Sequence, residues 1–308
     1  MIEIRGLTKH YGSLAALQDL DLSIERGDIF GFIGPNGAGK TTTMRILATL
    51  LEPTRGTAAI DGMDVCKRGR DVRKVVGYMP DFMGVYDDLK VFEYLEFFAA
   101  AFALPRARRK AVIGDVLELT DLTVKRATPV DGLSRGMQQR LQLARVLIHD
   151  PKVLILDEPA SGLDPRARIE IRELLRELKT MGKTIMISSH ILSELEEMCD
   201  HVGIIERGRL VFSGTMEQIR SRMGVHVQFR VQVADRGARA GELLTALPQV
   251  ADVHTTENTL DVTFKEDESH DGLIARTLVG AGIDVVSIVP KQVKLDDAFL
   301  HLTRGIVH

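Results

Sequence analysis

Two hydrophobic periodicities alternate along the first 220 residues of the chain. Short segments that are apolar throughout, or apolar at every second position, have the period of buried strands. Between them lie segments with apolar residues three or four positions apart, the period of amphipathic helices. Because parallel strands are joined through helices, this alternation predicts an α/β fold with a parallel sheet. The predicted strands are residues 2–5, 20–24, 29–33, 153–156 and 184–188, and the predicted helices are residues 42–51, 166–181 and 191–200.

A long segment in the middle of this region lacks strand patterns. Helical patterns dominate residues 81–150, and one of them, at residues 91–102, is rich in aromatic side chains. We therefore predict a helical insertion within the α/β core over residues 81–150.

The end of the chain has another order of elements. Strand and helix patterns follow each other there as β-α-β-β-α-β, the order of a ferredoxin-like domain. We expect a small α+β ferredoxin-like domain that ends in a helix near residues 295–302. Its predicted strands are residues 226–233, 252–256, 259–264 and 283–289, and its other predicted helices are residues 240–247 and 271–281.

Charge divides the chain at the same point. Residues 225–308 carry 8 Lys and Arg against 12 Asp and Glu, whereas the preceding residues carry 32 against 31. A helical pattern also ends at Gly224, which favours a boundary there. We predict a first domain at residues 1–220 and an accessory domain at residues 225–308.

Composition excludes several classes of protein. The 308 residues have a net charge of -3, so we do not expect a nucleic-acid partner. The cysteines, Cys66 and Cys199, lie far apart and outside any CxxC pattern, which excludes a disulfide framework and a zinc ribbon. No apolar run approaches the roughly 18 residues that a membrane helix requires, so no span is predicted.

A phosphate-binding loop follows the predicted strand at residues 29–33. The sequence GPNGAGKT at residues 34–41 matches GxxxxGK(S/T) in full, between a strand and a helix, so a chance glycine-rich turn is disfavoured. The glycines let successive N–H groups face phosphate oxygens, and the helix adds the positive end of its dipole. We expect Lys40 to bridge the β- and γ-phosphates of a nucleoside triphosphate and Thr41 to bind Mg²⁺. The expected nucleotide-binding residues are Gly34, Pro35, Asn36, Gly37, Ala38, Gly39, Lys40, Thr41 and Thr42.

Two carboxylates close the predicted strand at residues 153–156. Asp157 is placed to hold Mg²⁺ opposite Thr41, and Glu158 is placed to polarise a water for attack on the γ-phosphate. A surface Asp-Glu pair without a chemical role is the alternative. The loop and this pair alone indicate a P-loop NTPase, a class that includes kinases and GTPases.

A second anion site is predicted at LSRGMQQR, residues 133–140. Ser134 has the features of an N-cap, and the apolar residues after it form a helical stripe. A capped helix start with a glycine favours an anion, yet one nucleotide needs only one γ-phosphate site in a chain. His190 follows the predicted strand at residues 184–188, where either a catalytic or a structural role is open.

Together these motifs resemble the nucleotide-binding subunit of an ABC transporter over about residues 1–218. In that family the phosphate loop of one subunit faces the LSGGQ-type signature of a second subunit, here residues 133–137, with two ATP molecules between them. The resemblance implies a homodimer, ATP and Mg²⁺ as cofactors, and ATP hydrolysis. It also explains the second anion site, which would serve the nucleotide of the partner.

The same resemblance implies roles for single residues. Glu158 would be the general base, Asp157 would hold Mg²⁺, and His190 would contact the γ-phosphate. Tyr11 would stack on adenine, although an aromatic residue at a strand end is the alternative. Residues of the signature and of the following segment 161–164 would reach the nucleotide or the partner across the dimer, namely Ser134, Arg135, Gly136 and Asp164.

Two positions depart from the family pattern. Asp81 stands after GYMP at residues 77–80, where the family has Gln, and Arg135 stands where it has a second Gly. We keep Asp81 as a candidate for catalysis and for Mg²⁺. A cation at a helix N-terminus is unfavourable without an anion beside it. We therefore expect Asp81 and Arg135 to pair across the dimer interface or to bracket the phosphate.

The accessory domain resembles the small domain on some drug- or antibiotic-export ATPases that pair with separate, ABC-2-type permeases. This implies an ATPase subunit that drives a separate integral membrane permease in export, on the cytoplasmic face of the membrane. By resemblance, the aromatic segment at residues 91–102 lies near the groove for a permease helix, although plain burial of its rings is the alternative. Two other readings stay open: a soluble ABC-type ATPase acting on ribosomes or DNA, and an ATP-sensing regulatory subunit without turnover.

Overall fold

The computed structural model describes residues 1–82, 88–196, 198–222, 228–265 and 272–291. It divides into two compact units, Met1–Thr215 and Met216–Arg304. This division lies slightly before the boundary expected between residues 220 and 225. Within the described residues, no helix is both long enough and apolar enough to cross a membrane.

Ten strands lie in the described part of the first unit and form two sheets. One sheet is antiparallel and has the order β2-β1-β4-β5, and the other has the order β10-β9-β3-β8-β7-β6. The strands are β1 (Ile2–Tyr11), β2 (Leu14–Ile24), β3 (Ile29–Ile33), β4 (Arg55–Ile60), β5 (Met63–Asp64), β6 (Val76–Met79), β7 (Val153–Leu156), β8 (Thr184–Ser189), β9 (His201–Glu206) and β10 (Arg209–Thr215).

The second of these sheets is parallel apart from its edge strand β10. Every residue of β3, β7 and β8 is buried, as expected for parallel strands covered on both faces. The predicted α/β fold with a parallel sheet is therefore confirmed. The carboxyl ends of neighbouring parallel strands open on the same edge of the sheet, where ligands bind in such folds.

Helices connect these strands, and between β6 and β7 the described residues include three long ones. The helices are α1 (Lys40–Leu47), α2 (Gly69–Val75), α3 (Val91–Ala101), α4 (Arg106–Leu119), α5 (Arg135–Leu147), α6 (Pro165–Thr180) and α7 (Leu192–Glu196). Aliphatic and aromatic side chains of both sheets and of α1 form a common core, among them Ile2, Leu20, Phe30, Phe32 and Met44.

Several predicted boundaries were wrong. The strands expected at residues 2–5 and 20–24 are the ends of a longer hairpin, whose register shifts interrupt the apolar alternation. The helix expected at residues 42–51 ends at Leu47. Of the helix expected at residues 191–200, the described residues show α7, and the backbone N–H of Cys199 still donates to the carbonyl oxygen of Leu195 after it. Asp200 then exchanges hydrogen bonds with the backbone of Ile29.

The second unit has a hydrophobic core of its own. Its sheet is antiparallel with the order β12-β13-β11-β14, and the core includes Val231, Leu244, Leu260, Phe264 and Leu278. The helix expected near residues 295–302 lies outside the described residues. The elements are α8 (Met216–Arg222), β11 (Gln228–Val233), α9 (Gly237–Thr245), β12 (Val250–Thr256), β13 (Thr259–Phe264), α10 (Leu273–Gly280) and β14 (Val285–Lys291).

Candidate nucleotide site

Three neighbouring strands bring the predicted chemistry to one edge of the parallel sheet. β8 pairs with β3 on one side and with β7 on the other. The loop at residues 34–41 follows β3, Asp157 and Glu158 follow β7, and His190 follows β8. The topology thus places side chains that are distant in sequence beside one another.

The loop at residues 34–41 is a tight backbone turn with a buried base. Asn36 and Gly37 are exposed, whereas Gly34, Ala38 and Gly39 are buried. Gly39 has a φ of +113°, which glycine adopts without steric cost, and a Cβ atom there would lie 2.7 Å from Cδ2 of Leu17. Lys40, Thr41 and Thr42 form the first turn of α1. The loop therefore has the shape expected of a phosphate cradle.

Lys40 points back across this loop. Its Nζ donates to the carbonyl oxygen of Gly34 at 2.5 Å and lies 3.5 Å from Oε1 of Glu158. Burial lowers the pKa of Lys40, and the Glu158 carboxylate opposes this shift. A buried ammonium with one carboxylate partner is suited to a phosphate that takes the place of that carboxylate.

Asp157 is buried, and one of its oxygens is open. Oδ1 accepts a hydrogen bond of 2.6 Å from Oγ of Ser188. Oδ2 is also buried and has no hydrogen-bond partner among the described residues. A buried carboxylate oxygen is costly without a donor or a cation, and Mg²⁺ prefers carboxylate and hydroxyl oxygens. Asp157 therefore fits the expected Mg²⁺.

Glu158 lies between two cationic or titratable side chains. Its Oε1 faces Lys40, and its Oε2 lies 2.9 Å from Nδ1 of His190. Its backbone has a φ of +50°, a conformation that a non-glycine residue keeps only where the surroundings hold it. The backbone N–H of Glu158 donates to Oγ of Ser188 at 2.8 Å, which supplies that support.

Ser188 was not identified from the sequence. One hydroxyl group of this residue donates to Asp157 and accepts from Glu158, so it orients both carboxylate residues. A polar residue inside the aliphatic run at residues 184–188 was the available signal. That signal was weak, because a buried serine in a strand commonly bonds to the nearby backbone.

Asp81 follows β6 and belongs electrostatically to the same cluster. Burial raises the pKa of Asp81, and the carboxylates of Asp157 and Glu158 raise it further. Arg135 and His190 oppose this shift. The charge of Arg135 therefore acts on Asp81 within one chain, whereas we expected the two residues to pair across the dimer interface or to bracket the phosphate.

The signature residues surround the start of α5. Ser134 is the N-cap of α5, as predicted, and its Oγ accepts from the backbone N–H of Met137 at 3.4 Å. The Arg135 guanidinium lies against Gly162, and Gly136 packs close to Ala167. The signature thus contacts the segment 161–164 and the start of α6 in its own chain.

The last two predicted site residues, Asp164 and Tyr11, each lie at the end of an element. Asp164 is the N-cap of α6, and its Oδ1 accepts from the backbone N–H of Ala167 at 3.0 Å, so it has a structural role at least. Tyr11 ends β1 with 46% of its surface exposed. The following strand β2 contacts the phosphate loop, where Leu17 packs against Gly39.

Comparison with known proteins agrees with this geometry. The family model described as ABC transporter matches residues 17–161. The bacitracin transport ATP-binding protein BcrA of Bacillus licheniformis is 36% identical over 308 residues, which cover 99% of this chain and 98% of the relative. The daunorubicin resistance ATP-binding protein DrrA3 of Streptomyces coeruleorubidus is 34% identical over 304 residues, with coverages of 98% and 95%.

A solved structure of an ATP-binding subunit of an ABC transporter superposes with a TM-score of 0.66 at 31% identity. The match covers 73% of this chain and 94% of that one. The chain therefore belongs to the ABC transporter family as an ATP-binding subunit with a P-loop NTPase fold, and it is an ATPase.

Proposed function

We propose that this chain hydrolyses ATP to drive a separate integral membrane permease that exports its substrate. The two relatives named for bacitracin transport and daunorubicin resistance match it over nearly the whole of both chains, so the resemblance includes the second unit. The chain would act at the cytoplasmic face of the membrane, held there by the permease.

The arrangement of Lys40, Glu158 and His190 supports hydrolysis more than any other observation. Bound Mg²⁺ would neutralise phosphate charge, with Asp157 and Thr41 to hold it and Asp81 as a further candidate ligand. A phosphate at Lys40 would compete for the ammonium group that now faces Oε1 of Glu158. Glu158 would then accept the proton of an attacking water, while His190 holds its other carboxylate oxygen and contacts the γ-phosphate.

We propose two copies of the chain in the working state. The phosphate loop would bind one ATP molecule, with Tyr11 on its adenine. Ser134, Arg135 and Gly136 would face the nucleotide of the other copy, and Asp164 would lie at the interface. The exposure of Tyr11 and of the start of α5 supports this, because both are accessible in a single chain.

A groove in the first unit supports the proposed permease contact. It encloses about 320 Å³ and has an apolar lining that includes Leu50, Phe98 and Phe102. Leu50 is 62% exposed, and Arg73 and Arg145 add positive charge at the groove. An apolar helix with an acidic side chain fits these features.

The second unit would be an accessory domain with a ferredoxin-like fold, starting near residue 225. The order of its elements, β-α-β-β-α-β, and the antiparallel sheet support this proposal. Its separate core is in keeping with an accessory role.

The decisive experiment measures Mg²⁺-dependent ATP hydrolysis by the purified chain and by Glu158→Gln. We expect hydrolysis by the unaltered chain and a loss of at least about a hundredfold in the variant, with ATP binding retained. Binding without hydrolysis by the unaltered chain, alone or with its permease, would favour the ATP-sensing subunit instead.

A second experiment tests the permease. The tagged chain should retain an integral membrane protein during purification, and Arg145→Glu should weaken that association, whereas Arg106→Glu on the exposed start of α4 should not. Recovery of ribosomes without a membrane protein would contradict transport.

A further inference from the structure

One arginine joins the segment 161–164 to the segment that follows His190. Arg168 lies in the first turns of α6, and its Nε donates to the carbonyl oxygen of Leu163 at 3.0 Å. The same guanidinium group places Nη1 3.0 Å from Oε1 of Glu194, on α7. The planar guanidinium is a rigid fork of donors, so it fixes the positions of these two partners relative to each other.

Glu194 extends this connection to both neighbours of His190. Its Oε2 accepts a hydrogen bond of 3.1 Å from Oγ of Ser189. Oγ of Ser189 in turn accepts from the backbone N–H of Ile191 at 3.0 Å. The residues before and after His190 are therefore held by one hydroxyl group, which Glu194 orients.

The connection lies directly behind the candidate base. Arg168, Ser189 and Glu194 line a small cavity of about 20 Å³ together with Glu158. Only 15% of the Glu194 side chain is exposed, so its ion pair with Arg168 is partly shielded from water. A displacement of Glu194 would change how the His190 imidazole meets Glu158.

We propose that Arg168 and Glu194 are positioning residues that couple the segment 161–164 to the orientation of His190. This rests on the proposed function, in which the segment 161–164 faces the second copy of the chain. Docking of the second copy would shift the Leu163 carbonyl, and Arg168, Glu194 and Ser189 would pass that shift to His190. The catalytic groups would then be aligned only in the closed dimer.

The test compares steady-state ATP hydrolysis by the full chain and by Arg168→Gln and Glu194→Gln. Neither side chain reaches the phosphate loop in the structure, so we expect kcat to fall about tenfold and KM to stay within about twofold. Arg168→Lys should recover part of kcat, because it keeps the charge opposite Glu194. The matched control is Arg176→Gln, on the same helix, with the same 43% exposure and a contact of 2.7 Å to Glu173.

A second comparison separates positioning from general stability. In a His190→Ala background, Arg168→Gln and Glu194→Gln should lower the single-turnover rate no further, because the residue they act on is gone. An undiminished further loss in that background, or an unchanged kcat in both single variants, would overturn the inference. Absence of hydrolysis by the unaltered chain, alone or with its permease, would instead reject the proposed function and the inference with it.

Discussion

The guanidinium group of Arg135 lies against Gly162 of the same chain. A Cβ atom on Gly162 would be 2.5 Å from Cζ of Arg135, and φ at Gly162 is +66°. We expect Gly162→Ala to displace the guanidinium and to lower kcat about fivefold. In an Arg135→Gly background the same substitution should lower kcat less, because no side chain remains to be displaced and only the backbone strain at Gly162 is left. An equal loss in both backgrounds would assign the effect to backbone strain at Gly162.

Asp81 and Arg135 should be energetically coupled. Arg135 opposes the rise in the pKa of Asp81, so each charge is less favourable without the other. In a double-mutant cycle on ATP hydrolysis, Asp81→Gln and Arg135→Gly should differ from additivity by about fivefold or more. Additive effects would contradict the coupling.

A related experiment tests whether Asp81 pairs with Arg135 of its own chain or with Arg135 of the second copy. A mixed dimer can combine one Asp81→Gln subunit with one Arg135→Gly subunit. Pairing within a chain leaves no intact pair in this dimer, whereas pairing across the interface leaves one. Because the charge of Arg135 acts on Asp81 of its own chain, we expect the mixed dimer to lose the coupling.

Ser188→Ala should weaken Mg²⁺ dependence as well as turnover. The substitution removes the donor to Asp157 and the acceptor for the backbone N–H of Glu158. Loss of a group that orients a metal ligand typically costs about 10- to 100-fold in metal affinity or activity. We expect the Mg²⁺ concentration for half-maximal ATPase rate to rise about tenfold. The control is Thr120→Val. It removes another buried hydroxyl group, one that donates to the backbone carbonyl oxygen of Val116, and it should leave that Mg²⁺ concentration unchanged.

His149 should make the first unit sensitive to mild acid. Its Nε2 lies 3.0 Å from the carbonyl oxygen of Val76, and its ring stacks on Phe102 with centroids 3.9 Å apart. Burial lowers the pKa of His149 below its ordinary value of 6.5. The unfolded chain therefore binds the proton more readily, and the free energy of unfolding should fall as the pH drops below about 6.5.

Urea unfolding at several pH values checks this expectation. The His149→Gln variant should show less of the decrease, whereas His10→Gln on the exposed end of β1 should keep it. If the decrease were the same in all three proteins, His149 would not be its source.

The sequence alone predicts site residues that belong to a contiguous motif. It does not predict site residues whose partners are brought together only by the tertiary structure. The loop at residues 34–41 and the pair Asp157 and Glu158 carry their chemistry in adjacent residues, with strand and helix patterns that place them. Ser188 and Arg168 have no such pattern, because their partners come from other strands and loops. The position of Arg135 against Gly162 depends equally on how α5 meets the segment 161–164.

The bounds of helices and strands were likewise predicted correctly only where the local apolar pattern determines them. The fully buried strands β3 and β7 were predicted with their observed bounds, because burial on both faces makes every residue apolar. The half-buried hairpin of β1 and β2 was predicted too short, since its register shifts break the period of two. The hydrogen bonds between Asp200 and the backbone of Ile29 join residues that are far apart in sequence, and no local periodicity predicts them.

The separate core of the second unit has a consequence for how such chains diversify. The core residues that surround Leu260 and Phe264 all come from the second unit itself, and those around Phe32 and Met44 all come from the first. A substitution within either of these described clusters therefore changes side chains of one unit only. The interior of the C-terminal unit can therefore change in evolution without any substitution in the core cluster that supports the nucleotide site.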